Sequence, residues 1–412
     1  MTANTILTLN GGSSSIKFAL FENSASMPLL LRGQIERIGV AGTVLTAKGS
    51  RERENYTQPL AGSDFSKAVA SLLDWTRAQG IEKNLIAVGH RIVQGGPQYH
   101  LPQLVTPQLL LELHRLIPLA PAHLPTELLV LEALQKRLPA LPQIACFDTA
   151  FHHDMPRVAQ LLPIPNHHNA DLRRYGFHGL SYEFLLSELI RTQGVAAGHG
   201  RIIMAHLGNG TSLAAVRDGK SIDTSMGFTP ASGVLMATRS GDLDPGLAYY
   251  LARTKKMYAA KFEEMATTQS GLLGVSGISG DMRDLLQQEG KNPRAAEAVA
   301  LYCYQIKKCL GAFTAALGGL DTLIFAGGIG ENAAPVRARI CEGLTFLGIE
   351  LDAARNDATT KAATVISTDA SRVTVHVIPT FEEIVIARAV ARAVAQIANL
   401  PAATTREHHE TR

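Results

Sequence analysis

Cysteine is scarce: only Cys146, Cys303, Cys309 and Cys341 occur in 412 residues, and no two of them form a C-x-x-C pair. A disulfide framework and a cysteine zinc site are thereby excluded, and the four read as reduced core thiols. An excess of one charge is also missing. Lys plus Arg total 39 against 36 for Asp plus Glu, a net +3, and the basic residues are scattered. No electrostatic footprint for nucleic acid results, although a small anionic ligand fits. No stretch approaches the roughly 18 apolar residues of a membrane span. Met1 to Asn10 lacks a basic start and a long apolar segment, so a cytoplasmic protein is expected. What is present is an ordinary globular composition, 46% hydrophobic and 18% charged with 36 glycines. At roughly 150 residues per domain the length implies two or three domains and excludes a single small binding module.

The β-prone run Ile6 to Leu9 ends in the polar turn Asn10 to Ser15, and Ile16 to Phe21 resumes as a second strand. Helical spacing follows Ser63, a candidate N-cap, with Phe65, Val69, Leu72 and Leu73 on one face. Strands recur at Leu85 to Val88 and Ile144 to Phe147, and this alternation favours an α/β class. Arg201 to Leu207, the turn Gly208 to Ser212 and Leu213 to Val216 repeat the first hairpin, which suggests two related halves. Val299, Tyr302, Ile306, Leu310, Phe313 and Leu317 keep a helical period, stopped by Gly318-Gly319, and predict a long, mostly buried helix. Leu323 to Ala326 reads as a buried strand running into a glycine turn, Gly327 to Asn332. A strand near Val373 to Ile378, a polar step Thr380 to Glu383 and a helix from Ile384 to about Ile397 close the chain before a frayed tail from Thr404 to Arg412.

Three glycine-rich turns after strands let backbone N–H groups approach phosphate. None is a P-loop, since Asp218-Gly219-Lys220-Ser221 has Ala214 where the first glycine is required, and none has dinucleotide-fingerprint spacing. Arg91 past an apolar strand and Arg239 among small residues suit clamps for carboxylate or phosphate, with surface arginine as the plain alternative. Asp148 after an apolar strand must be paired, hydrated or metal-bound, or else serve as a helix cap. His178 and His206 suit phosphoryl contacts or structural roles, whereas His152-His153 and His167-His168 lack helical metal-ligand spacing.

Together these residues resemble the acetate kinase (acetokinase) family, which also includes propionate and butyrate kinases. The resemblance runs through Asn10 to Lys17, Gly89-His90-Arg91, Phe147 to His152, Arg174 to Gly179, His206 to Gly210, Asp223 to Pro230, Thr238 to Gly246, Gly280 to Arg283 and Gly327 to Asn332. It implies two duplicated, ribonuclease-H-like α/β domains of the acetate and sugar kinase, Hsp70 and actin superfamily with a cleft between them. The domains would be residues 1–149 plus 384–412, and 150–383. The implied reaction converts ATP and acetate, or another short carboxylate, to ADP and acetyl phosphate with Mg²⁺ (or Mn²⁺), in a homodimer without nucleic-acid or membrane partners.

The resemblance also implies roles. Arg91, Arg239, His178 and Asp148 would be catalytic, Asp148 by ordering an arginine or the metal shell, and Asn10 and Glu382 would hold the metal. Ser15 and Lys17 would contact phosphate. His206, Leu207, Gly208, Asn209, Gly210, Asp281, Met282, Arg283, Gly328, Ile329, Gly330, Glu331 and Asn332 would bind the nucleotide. Val93, Ala122, Phe177 and Pro230 would form the acyl pocket beside Arg91. The chain departs from the family pattern at Ala122 and Leu124 (usually Leu and Asn), at Leu180 and Tyr182 (Thr and His) and at Phe381 (Asn). Ala122 removes about three carbons of bulk, which predicts use of propionate beside acetate. The competing readings are a dedicated propionate or butyrate kinase and, more remotely, an ATP-driven chaperone or filament protein of the same superfamily, which would not need the two arginines.

Overall fold

The first apolar run forms β1 (Thr5–Gly11) and returns antiparallel as β2 (Ile16–Glu22), which sets Asn10 opposite Lys17 across the ladder. β3 (Leu29–Glu36), β4 (Val44–Gly49) and β5 (Tyr56–Pro59) extend this meander outward, all antiparallel. On the other side of β1 lie β6 (Leu85–Ile92), parallel to it, then β8 (Gln143–Phe147), parallel to β6, and the short antiparallel edge strand β7 (Gln103–Leu104). The computed structural model describes residues 4–12, 14–49, 55–60, 64–165, 167, 172–358 and 362–398. Ser13, Ser63, His168 and the expected frayed tail lie outside them; the helix Phe65–Ala78 is capped by Asp64, whose carboxylate accepts the Lys67 N–H.

The second sheet comprises β9 (Arg201–Leu207), β10 (Thr211–Arg217), β11 (Lys220–Thr224), β12 (Thr322–Ala326), β13 (Thr364–Val365) and β14 (Thr374–Val377). Its order β11-β10-β9-β12-β14-β13 reproduces β3-β2-β1-β6-β8-β7 of the first sheet. The steps match as well: two antiparallel, two parallel, then an antiparallel edge. The repeated hairpins therefore do mark a duplication, with β4 and β5 added to one copy.

The central strands of each sheet are buried on both faces, which is why they read as continuous apolar runs. Along β9, Ile203, Ala205 and Leu207 face the helix Pro293–Leu317, while Ile202 and Met204 face the helix Gly179–Gln193. The helix Pro293–Leu317 starts six residues before the expected periodic run, capped by Asn292, and ends at Gly318 with φ +73°. It buries one face, not most of its surface, and exposes Tyr304. Gly327–Asn332, expected as a turn, is a short helix instead, and it follows β12 directly. No helix among the described residues is long and apolar enough to cross a membrane.

The last helix starts at Glu382, two residues before the expected Ile384, and lies on the first sheet with Ile386 and Val390 against β6. A Cβ on Gly89 would sit 2.4 Å from Ile386 Cγ2 and 2.6 Å from Val390 Cγ2. Gly89→Ala should therefore push the helix off the sheet and cost about 1–3 kcal/mol, measured as a lower urea midpoint. An unchanged midpoint would show that the helix yields freely.

Candidate active site

Three neighbouring parallel strands, β1, β6 and β8, deliver Asn10, Arg91 and Asp148 at their carboxyl ends. Arg91 Nη2 donates to Asp148 Oδ2 at 2.5 Å, and Nη1 donates to Asn10 Oδ1 at 3.5 Å and to Glu127 Oε1 at 3.2 Å. Asn10 Nδ2 in turn donates to Glu382 Oε2 at 3.4 Å. Asp148 is not a helix cap. Its side chain is buried, Oδ2 holds Arg91, and Oδ1 has no hydrogen-bond partner among the described residues. Burial opposes the Arg91 charge, but Asp148 and Glu127 outweigh it and hold the guanidinium firmly protonated. Burial, reinforced by Asp148, pushes Glu382 up to about 7.

The facing wall comes from the second half. His178 stands at φ +59° before the helix Gly179–Gln193, and its ring stacks on His206 at 4.3 Å. A Cβ on Gly210 would lie 3.1 Å from His178 Nε2 and 3.5 Å from Arg239 Nη1, so imidazole and guanidinium converge over this glycine. Arg239 Nη1 also donates to the Pro230 carbonyl at 3.1 Å, and Nη2 donates to His123 Nε2 at 3.3 Å. Burial, then the nearby cations, keep His178 neutral well below the usual histidine range, and burial and Arg91 lower Arg239 to about 10. Two arginines that repel each other are thus held in one partly dry site.

Beside them opens a cleft of 830 Å³, lined by Asn10, Lys17 and Arg32 of the first sheet, His206, Gly208 and Asn209 of the second, and Asp281 to Arg283, Gly328, Ile329, Asn332 and Glu382. A profile of the acetokinase family matches residues 5–388. The chain belongs to that family. It is 44% identical to an acetate kinase of Rhodopseudomonas palustris, over 95% of this chain and 98% of the relative, and 42% identical to a propionate kinase of Citrobacter rodentium, over 95% and 97%. Its fold superposes on the crystal structure of Porphyromonas gingivalis acetate kinase with a TM-score of 0.84 at 37% identity, covering 95% of this chain and 100% of that one. A propionate kinase from Francisella tularensis gives 0.86 at 34%, covering 94% and 98%.

Not every residue expected around the nucleotide lies on the cleft wall of this acetokinase. Leu207 points into the core, Gly330 is buried, and Ser15 and Gly210 lie off the wall, Gly210 beside His178. Glu331 braces the backbone, its Oε1 accepting the Gly327 and Thr380 N–H groups at 3.0 Å each. Asp281 caps the helix Met282–Gln288 and pairs with Arg283 at 2.6 Å. Of the acyl pocket, Val93 and Phe177 share one buried cluster and Pro230 is half-buried, but Ala122 is exposed, so that wall is open. Phe381 packs against Phe21 and Phe184 beneath Arg32, which leaves Glu382 within reach of Asn10.

Among the described residues no group of three or more His, Cys, Asp or Glu side chains is arranged around a metal. His152 is structural, hydrogen-bonded to Ser221 at 2.8 Å and the Phe177 carbonyl at 3.1 Å, and His153 stacks on His100. Mg²⁺, however, needs one or two carboxylates with waters and substrate phosphates. The unpartnered Asp148 Oδ1 beside Asn10 and Glu382 is a hard-oxygen donor set that fits this ion.

Glu127 was not evident from the sequence. It sits in the first turn of the helix Leu124–Arg137, is 1% exposed, and accepts the Val93 N–H at 2.9 Å as well as binding Arg91. Burial pushes its carboxyl up to about 8 against the pull of Arg91. The available signal was a glutamate on the helix face shared with Leu124, Leu128 and Leu131, where an unpaired charge is not tolerated.

Proposed function

We propose that this acetokinase transfers the γ-phosphoryl group of ATP reversibly to acetate and to propionate, forming the acyl phosphate and ADP in the cytoplasm. The observation that carries the reading is the convergence of Arg91, Arg239 and a neutral His178 beside a cleft large enough for a nucleotide. Acceptor carboxylate and γ-phosphate are both anionic, so the main obstacle is mutual repulsion, and two fixed guanidinium forks offset it while aligning the oxygens. No general base is required, because a carboxylic acid with a pKa of about 4 is already ionised at pH 7.

In this reading Arg91 orients the acceptor carboxylate, Asp148 fixes the Arg91 fork, and Arg239 and His178 donate to the oxygens of the transferring group. Asn10 and Glu382, with Asp148, would hold Mg²⁺, which supplies neutralisation of phosphate charge. Lys17, Gly208, Asn209, Gly328 and Asn332 would cradle ATP. Domains of residues 1–149 plus 384–412 and 150–383 would close about Thr149 and Glu383, excluding the water that otherwise hydrolyses the donor. A homodimer belongs to the reading too: the helix Pro245–Lys255 buries none of its residues and exposes Tyr249 and Tyr250.

Acyl phosphate trapped with hydroxylamine, measured across acetate, propionate and butyrate with ATP and Mg²⁺, tests this. The open wall at Ala122 and the roughly 0.8 kcal/mol per buried methylene predict propionate kcat/KM within about fourfold of acetate. Propionate far below acetate would remove the role given to Ala122, butyrate in the lead would make this a longer-chain kinase, and no product from any acid would overturn the reading.

A further inference from the structure

Behind His178 runs a buried chain of hydrogen bonds. His178 Nδ1 lies 2.8 Å from Ser212 Oγ, and Ser212 Oγ lies 2.5 Å from the hydroxyl of Tyr182, whose side chain is fully buried. Tyr182 is on the helix that His178 begins, one turn on, and Ser212 is on β10, so the chain ties the helix to the sheet. Its direction follows from donor counting. The phenol carries one proton, and the only side chain within hydrogen-bond distance of it among the described residues is Ser212. The His206 backbone N–H also faces the phenol oxygen and can only donate. The phenol proton therefore goes to Ser212 Oγ, and the serine proton goes to His178 Nδ1. That nitrogen is an acceptor, so the ring proton resides on Nε2, the atom beside Gly210 and Arg239. The reverse arrangement, with Nδ1–H donating to Ser212, would strand a proton in the core without an acceptor: the phenol proton if the serine donates to Tyr182, or the serine proton if His178 and Tyr182 both donate to its Oγ.

We propose that Tyr182, acting through Ser212, is a positioning residue that holds His178 as the Nε2–H tautomer, so that the imidazole presents a donor to the transferring group. The inference rests on the reading of His178 given above. Burial keeps the phenol protonated across the working pH range, and the imidazole stays neutral, so the chain orients a donor without moving a proton.

The test uses the full chain, with ¹⁵N-histidine spectra assigned by His178→Gln and, in parallel, steady-state kinetics of acyl phosphate formation. Wild type should show a pyrrole-like Nε2 and a pyridine-like Nδ1 at His178. Tyr182→Phe, which removes one oxygen, should give a tautomer mixture and lower kcat about 10-fold, the scale of losing an outer hydrogen-bond partner, with KM for both substrates within twofold. Ser212→Ala should do the same, and the double variant should be no worse than Ser212→Ala alone. A pyridine-like Nε2 in wild type overturns the proposal. So does an unaltered His178 spectrum in both variants, whatever their kcat, because a purely structural loss would leave the tautomer in place. If wild type makes no acyl phosphate, the functional reading fails while the spectra still decide the tautomer; if Tyr182→Phe does not fold, Ser212→Ala decides alone.

Discussion

Arg91→Leu is expected to lower kcat for acyl phosphate formation roughly 10³-fold, the lower range for an arginine that stabilises a phosphoryl transition state. It is also expected to destabilise the fold. Arg91 is the shared partner of two carboxyls that are each 1% exposed, Glu127 and Asp148. Removing it leaves both buried without their cation, a change worth about 3–5 kcal/mol for a broken buried pair. The Glu127 share of that loss is small at neutral pH, where burial, which pushes its carboxyl up to about 8, already keeps it mostly protonated. The destabilisation should therefore be smaller at pH 6 than at pH 9, where the wild type stabilises an ionised Glu127 with Arg91 and the variant, its Glu127 carboxyl moved further up, has no cation to do so. Urea midpoints at the two pH values, with kcat on the folded fraction, check it. Near-normal turnover would remove Arg91 from the chemistry, and a pH-independent loss would show that Glu127 does not share its charge balance.

Asp148→Asn should lower kcat about 10²-fold or more and raise the Mg²⁺ concentration needed for half-maximal rate, with a smaller effect on stability. Asn retains an oxygen for Arg91, and Glu127 stays in place on Nη1, so the guanidinium is not abandoned. What is lost is one of the two carboxyl oxygens, the orientation of the fork, and an Oδ1 that meets no hydrogen-bond partner among the described residues. A shift in metal dependence assigns Oδ1 to the ion's shell, whereas a fall in kcat at unchanged metal dependence assigns Asp148 to Arg91 alone. Retention of both near-normal turnover and normal metal dependence would remove Asp148 from the mechanism.

How much of this was legible in the chain depended on whether a signal was local. The hairpins holding Asn10, Lys17 and His206 were plain, because alternation and a glycine-rich turn are written in consecutive residues. Their repetition foretold the second sheet. The antiparallel strands β3 to β5 are not legible, since they are only partly buried and carry a mixed pattern. Gly327 to Asn332 reads as a turn because glycines dominate it, yet it forms a short helix directly after β12. That Ala122 is exposed is not legible either: sequence gives the bulk of a side chain without what surrounds it. Glu127 was obscure for the opposite reason, being an unremarkable residue on a helix, whereas Tyr182 stands out as a departure from the family pattern without any sign of its role. The importance of each comes from a partner brought near by a sheet, Arg91 in one case and Ser212 in the other.

The hydrogen bond from Asn10 to Glu382 joins positions 372 residues apart. A nascent chain on the ribosome can pair β1 with β2 as soon as that hairpin has emerged, but it has no Glu382 to meet Asn10, and no helix over Gly89, until the 372 residues that separate the pair have been made. At about 5–20 residues per second, that wait is roughly 20–70 s. One face of the first sheet, with Ile6 and Ala87, must stay shielded by other means throughout that time. Synthesis cut short anywhere upstream therefore yields a chain that can begin folding but cannot assemble the end of the cleft where Asn10 and Glu382 meet.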